Sequence, residues 1–411
     1  QVHNAAFGPH AMTDAPLPPA AGHPARARAI LALGLPLIGS HVAQFALHVT
    51  DTVMLGWYGA LDLAAGALGV TVFFAVFTLG AGYANAVMPL AAAAAARGEA
   101  TEVRRVTRMG LWLSLGFSLL MMPVFLLSGP LFDAMGQDAQ VAPLAGAYLA
   151  IVGLGLGPAL MVMTLKSYLA ALGRTQAVLW ITVAAVFGQV FANWGVIFGN
   201  PGAPAMGGRG AALASVIVQL VTLAIMLAYA ALLPALRQYQ LLIRFWRPDW
   251  QAMRQVNALG LPIGLALLAE TGLFAASAVM MGWLGPHPLA AHAIALEITA
   301  MFFMVHMGLS NAATILVGRA WGRGDLPALR ALAATATMLS LGFASLAKGW
   351  LAERLLGEKV VNWRWPLIIA AAPAVIVGVV ATRYLPEWAE LAFGVPAILF
   401  VYCAVVCRTG F

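Results

Sequence analysis

Charge is what this sequence has least of. Of its 411 residues, 9% are Asp, Glu, Lys or Arg, where a water-soluble domain carries about a quarter. So few charges cannot cover a surface facing water, which excludes a soluble globular protein and leaves lipid as the cover. Cysteine is also scarce. Cys403 and Cys407 stand four apart on one apolar helix face and read as packing residues, not as a disulfide framework or metal ligands. No GxxxxGK[ST] loop and no HExxH occurs, which removes the signatures of a P-loop ATP motor and a zinc protease. No enzyme and no bound cofactor are expected. The net charge is +7, but the basic residues are scattered through short loops instead of forming a patch, so nucleic acid is not an expected partner.

What is present in quantity is apolar: 62% of residues are hydrophobic, with 42 glycines and 23 prolines. Apolar windows of about 20 residues recur along the chain, as in a polytopic helical membrane protein. Membrane helices tolerate Gly and Pro better than soluble helices do. The spans fall at 29–55, 63–90, 107–130, 142–165, 176–199, 210–233, 256–284, 289–316 and 329–347, with two more at 365–382 and 388–407. The expected organisation is a disordered tail (1–28), a six-helix N-lobe (29–233), a cytoplasmic linker (234–255), three helices of a C-lobe (256–344) and an atypical tail with two apolar helices (345–411). The Pro- and Ala-rich start lacks the pattern of a cleavable signal peptide.

Lys and Arg give the orientation. With the N-terminus in the cytoplasm, the inner segments up to residue 344 hold fifteen basic residues: Arg26, Arg28, Arg97, Arg104, Arg105, Arg108, Lys166, Arg174, Arg237, Arg244, Arg247, Arg254, Arg319, Arg323 and Arg330. The outer loops hold only Arg209. Beyond 344 the rule breaks, because the next loop should be external yet carries Lys348, Arg354, Lys359 and Arg364.

The chain repeats itself at an offset of 226 residues. LGLP at 33–36 returns at 259–262, VMLGWYG at 53–59 returns as VMMGWLG at 279–285, RGE at 97–99 returns as RGD at 323–325, and LSLGF at 113–117 returns at 339–343. Six spans separate equivalent points. An even number preserves orientation, so the two units are parallel repeats about an axis along the membrane normal. Two facing bundles that rock about a central cleft make a secondary transporter. The register is lost after Phe343, where the charge rule also fails.

Three carboxylates before that junction sit inside spans: Asp51, Glu270 and Glu297. A charge at mid-bilayer costs at least about 2.5–3.5 kcal/mol, which points to function beside a wet cavity. Such a group can carry a proton or hold Na⁺. Asp51 can instead be a helix-end residue bonded to backbone or to Thr50 and Thr52. The repeat mate of Glu270 is Gln44, and that of Asp51 is Ser277, so the lobes carry their acids seven residues out of step. Gln189 and Asn193, four apart, share a helix face; they line the cleft beside Asp51 or bond between helices. Tyr83, Asn85, Asn311, His41, His48, His292 and His306 read as packing or structural groups.

Several of these stretches resemble the multidrug and toxic compound extrusion family, especially its NorM-like branch. VTDTVMLGWYGALDLAAGALG (49–69) is similar to that family's first-helix motif. LKSYLAALGRTQAVLWITV (165–183) is similar to its segment between helices four and five, NWGVIFGNPGAPAMGGRGAALAS (193–215) to its join of helices five and six, and GLPIGLALLAETGLFA (260–275) to its seventh helix. The resemblance covers about 28–344. It implies an all-α polytopic fold of two parallel-repeat bundles (MATE/MOP-type), here with about eleven helices and an incomplete second bundle. It also implies a monomer in the bacterial inner membrane that exports bulky, often cationic drugs or toxic organic compounds in exchange for Na⁺ or H⁺. By the same resemblance Asp51, with Gln189, Asn193 and Gln44, serves substrate and proton coupling. Glu270, a possible Na⁺ ligand, and Glu297 serve the coupling cation. The helix-ten aspartate of the family's cation site has no counterpart here. Residues 361–400 resemble instead a fragment of a TauE-like sulfite-exporter permease. The alternatives are an inactive truncated or chimeric relative and a lipid-linked saccharide flippase; the latter should line its cleft with arginine, whereas the mid-span charges read here are acidic.

Overall fold

The computed structural model describes residues 23–134, 140–199, 205–243, 245–283 and 286–356. Among these the fold is helical throughout: α1 (His23–Tyr58), α2 (Ala60–Ala96), α3 (Ala100–Leu126), α4 (Ser128–Ala134), α5 (Val141–Gly153), α6 (Leu156–Ala171), α7 (Thr175–Phe198), α8 (Gly207–Leu232), α9 (Pro234–Arg237), α10 (Trp250–Trp283), α11 (Pro286–Gly322) and α12 (Leu326–Leu356). Eight helices are long and apolar enough to cross a membrane, and nine spans result if α5 and α6, bent by 46° at their junction, count as one. The protein is therefore a multi-pass membrane protein, and these nine answer to the first nine spans read from hydropathy. The spans expected at 365–382 and 388–407 lie outside the described residues.

Two expected boundaries are corrected. Helix α1 begins at His23, so residues 23–28 are helical and not part of a disordered tail. Pro24 stands in the first turn, where its missing N–H is not needed. Helix α10 begins at Trp250, inside the expected linker, because Asp249 caps it: its Oδ1 accepts the Ala252 N–H at 3.1 Å.

The repeat is visible in local geometry. Gly98 and Gly324, mates at the fixed offset, both take a left-handed backbone (φ 76° and 71°). The N–H of the following acid closes each helix on the carbonyl five residues earlier, Glu99 to Ala94 and Asp325 to Ala320, both at 3.0 Å. This is the glycine-terminated helix end that RGE and RGD encode.

The repeat is also visible in packing. Helix α1 lies against α11, α10 against α2, and α2 against α11. Shifting by the repeat turns the first pair into the second and the third into itself, as a two-fold axis requires. A Cβ on Gly82 of α2 would stand 2.2 Å from the Gly260 oxygen and 2.3 Å from the Gly264 nitrogen of α10. A Cβ on its mate, Gly308 of α11, would stand 2.4 Å from Ile38 Cγ1 and 2.6 Å from its backbone nitrogen, and Ile38 is the mate of Gly264. Both crossings are thus backbone-to-backbone contacts of the kind small residues permit between membrane helices.

A core containing Ile30, Ala91, Leu169, Val256 and Ile315 joins both lobes, and a second core, with Leu55, Phe117, Phe125 and Leu149, belongs to the N-lobe alone. Gly318 and Gly322 press on Pro89 and Ala93, and Arg319 Nη2 donates to the Ala171 oxygen at 3.0 Å. The lobes are closed at the end that carries Arg97, Arg319 and Arg323.

The segment joining the lobes is strapped to α3. Arg105 bonds Asp249 and, at 2.9 Å, Glu102; Arg108 Nη2 donates to the Arg247 oxygen at 2.9 Å, and Trp112 Nε1 to the Phe245 oxygen at 2.9 Å. The Arg105 guanidinium holds the Asp249 carboxyl below the usual carboxylate range. The chain divides into two compact units, residues 1–341 and 342–411. The second is described only through the end of α12.

Candidate functional site

Asp51 lies two turns before the end of α1, facing α7 and α8. Its Oδ1 accepts the Gln189 amide at 2.8 Å and the Asn193 amide at 2.6 Å, and its Oδ2 accepts the Ser215 hydroxyl at 3.2 Å. The Gln189 amide also reaches Ser215 Oγ at 3.0 Å and Asn193 Oδ1 at 3.3 Å. Gln189 and Asn193 are buried, and their four-residue spacing puts both amides on the face of α7 that meets α1. Both amides bond Asp51 across helices, and Gln189 also lines a cavity beside it. The reading of Asp51 as a residue tied to Thr50 and Thr52 fails, since those hydroxyls donate to the Ala46 and His48 carbonyls of their own helix.

Ser215 was not legible in advance. In GAALAS it looks like one more small packing residue, and the repeat, whose register is lost after Phe343, carries no signal for it. Only the packing of α8 on α7 brings it to the carboxylate.

Asp51 lines two cavities. One, of about 420 Å³, is walled by α1 and α2, with His48, Asp51, Thr71 and Tyr148 among its lining. The other, of about 70 Å³, lies between α1, α6, α7 and α8 and is lined by Gln44, Asp51, Lys166, Gln189 and Ser215. Gln44 thus shares a cavity with Asp51 but bonds something else, accepting from Lys166 Nζ at 2.6 Å. Two sequence readings need correction here. Lys166 is not a loop residue; it sits within α6 and turns inward, so it does not belong in the count of loop charges. Nor are the mid-span charges all acidic. A third feature, an apolar groove of about 700 Å³, runs between α1 and α7 past Trp57, Phe187, Phe191 and Trp194.

The C-lobe is different. Glu270 is exposed on α10, and no described residue bonds it. The side chain of Glu297 lies outside the described residues. Ser277, the mate of Asp51, donates to the Phe274 oxygen at 2.7 Å and lies 3.1 Å from His292 Nε2. Among the described residues, no group of three His, Cys, Asp or Glu could hold a metal ion. Asn311 joins the lobes through His41 Nε2 at 2.9 Å, and Tyr83 packs edge-on against Phe117.

The sequence profile described as MatE matches residues 36–194 and 262–348. A protein named "Probable multidrug resistance protein NorM" from Agrobacterium fabrum is 43% identical over 298 residues, 72% of this chain and 64% of that protein. A protein of the same name from Rhizobium meliloti is 40% identical over 323 residues, 79% of this chain and 69% of the other. The chain thus spans about two thirds of the length of these relatives. The crystal structure of a eukaryotic MATE transporter superposes with a TM-score of 0.71 at 17% identity, over 94% of this chain and 81% of that one, a likeness of fold. The stretch 361–400, expected to resemble a sulfite exporter, lies outside the described residues.

Proposed function

The chain belongs to the MatE family, and from that premise we propose that it is a transporter, not an enzyme, exporting organic compounds across the bacterial inner membrane by alternating access. The cargo is drug-like and often cationic, exchanged for H⁺ in preference to Na⁺. The N-terminus is cytoplasmic, and the arginine-rich end at which the lobes meet is the cytoplasmic gate.

The observation that carries this reading is the environment of Asp51. A carboxylate inside a span is held by three neutral donors and lines two cavities. Neutral donors ease its desolvation without cancelling its charge. The missing positive charge comes from a proton or from a cationic cargo, and the two compete. The hydrogen bonds suit both states. With Asp51 ionised, Ser215 donates to Oδ2. With Asp51 protonated on Oδ2, the proton points to Ser215 Oγ, and the serine hydroxyl turns to another acceptor while both amides stay on Oδ1. One hydroxyl rotation separates the forms.

The test is Asp51→Asn in cells lacking other pumps, read by ethidium accumulation and by membrane content of the protein. Efflux should be abolished with the protein present at normal amount. Efflux at the parental rate would show that Asp51 only packs the lobe.

A further inference from the structure

The segment that joins the lobes has two unlike faces. Leu236 and Leu241 are buried, and the carbonyls of Ile243, Phe245 and Arg247 all accept from α3, the first and third from Arg108 and the second from Trp112. Leu242, Ile243, Trp246 and Trp250 stand exposed, the two indoles at 71% and 72%. Rings so bare suit the boundary between lipid and water, where tryptophan collects.

Depth along α3 decides what covers this outer face. The apolar run of α3 begins at residue 107. Phe245 is bonded at Trp112, five residues further in, about 7.5 Å along the helix. Segments that lie in the plane of a membrane interface sink about 5–10 Å into the boundary of headgroups and acyl chains. Arg104 lies three residues before the run, about 4–5 Å outside it, within a headgroup layer about 5–7 Å thick.

Arg104 has donors to spare at that level. Among the described residues it makes one hydrogen bond, Nη1 to Gln240 Oε1 at 3.3 Å, and its Nε is buried without a partner. Gln240 is the one described residue other than glycine with a left-handed backbone (φ 45°), a strain of the kind found at ligand clamps. The repeat separates the task of Arg104 from that of its neighbours. Arg105, Arg108 and Trp112, which bond the linker, have Ala331, Ala334 and Met338 as mates, whereas Arg104 has Arg330. Arg330 is exposed and bonds no described residue, so it is the same helix position without the glutamine.

We propose that Arg104 and Gln240, with the exposed Trp246 and Trp250, bind an anionic phospholipid of the surrounding bilayer. Gln240 holds Nη1, and the remaining edge of the guanidinium, Nη2 with Nε, is the fork that fits a phosphate. The indoles lie against the glycerol and the first acyl carbons. Residues 102–108 and 237–254 carry seven arginines and two acids, an excess that favours an anionic headgroup. Phosphatidylcholine has the same phosphate, but its choline would meet those arginines. The lipid thereby fastens the linker to α3, whatever the protein carries.

The test places the full chain in nanodiscs of dioleoylphosphatidylcholine with rising fractions of dioleoylphosphatidylglycerol and reads hydrogen exchange of residues 237–250. Protection should rise with phosphatidylglycerol to a plateau. Arg104→Gln should raise the half-saturating fraction about fivefold, the worth of one arginine near an anionic surface, and Arg330→Gln should leave it in place. Equal protection in the two lipids, a comparison that needs no variant to fold, would overturn the site. So would an Arg104→Gln titration that overlays the wild type, or an equal shift in both variants, which marks diffuse attraction to surface charge. Protection induced by inorganic phosphate in phosphatidylcholine alone would assign the site to a free anion and refute the lipid.

Discussion

Replacing Gly82 with alanine is expected to force the two lobes apart at one crossing, and replacing Gly308 should do the same at its mate. The added Cβ at Gly82 would stand 2.2 Å from the Gly260 oxygen and 2.3 Å from the Gly264 nitrogen, where ordinary contact begins near 3.4 Å. Backbone atoms cannot rotate aside, so the helices must separate by roughly 1 Å, a gap that forfeits about a quarter to a half of the dispersion energy across the seam. Overpacking of this kind costs about 1–3 kcal/mol, offset by about 0.5–1 kcal/mol from alanine's better helix propensity. The net loss should be about 0–2.5 kcal/mol at each site, and about 1–3 kcal/mol against a control that gains the same propensity. Gly116 and Gly188 are the controls, because a Cβ there would meet nothing within 4 Å; alanine at either should be neutral or stabilising. The assay is the temperature at which monodisperse protein is lost on size-exclusion chromatography, with all four variants in one detergent. Gly82→Ala and Gly308→Ala should both fall by several degrees against the controls. If both match the controls, the close crossing is not there. If only one falls, the two crossings are not equivalent and the two-fold argument fails.

Four further outcomes follow from the same geometry. A Cβ on Gly34 would lie 3.6 Å from that of Ala312, within disulfide range, so Gly34→Cys with Ala312→Cys, in a chain with Cys403 and Cys407 replaced, should cross-link on oxidation and stop efflux until reduced; efflux that continues in cross-linked protein would refute a gate there. Ser215→Ala removes the donor to Asp51 Oδ2 and should lower stability by about 0.6 kcal/mol, the average for such bonds in membranes, and by no more than about 1.7 kcal/mol; an unchanged melting temperature would count against the bond. Added Na⁺ should barely change dye efflux or thermal stability, and a Na⁺-specific stabilisation lost in Glu270→Gln would overturn the preference for H⁺. The depressed pKa of Asp249 means its ion pair with Arg105 stabilises the linker fully above the unfolded carboxyl pKa, about 3.9, and is lost as pH falls through the lower folded value. Hydrogen-exchange protection of residues 243–252 should therefore hold from pH 7 to about 5 and fall only below about 4; loss near pH 6 would assign it to another group.

Hydropathy by itself determined the nine described spans, because a helix must satisfy its own backbone in lipid and each span therefore announces itself locally. The repeat was equally legible. Its glycine turns at Gly98 and Gly324 are local chemistry, and matched residues at one offset imply matched packing even before any helix is placed. Asp51 stood out because a carboxylate in an apolar run carries a cost that something must justify, and Gln189 and Asn193 because their spacing gives them one face. What the sequence could not decide is which helix that face would meet. Ser215 and Lys166 lie 164 and 115 positions from Asp51, and nothing in an Ala-rich helix or in a short turn-flanked span says that the first bonds it and the second lines the same cavity. Lys166 looked like a loop cation since α6 ends only five residues later, and a charge near a helix end reads the same whether it points to water or inward. Only the packing of α6, α7 and α8 around α1 settled that direction. Tertiary structure likewise placed Gly82 on Gly264 and Gly308 on Ile38, because the approach of two backbones depends on the relative rotation of helices, which no single segment encodes.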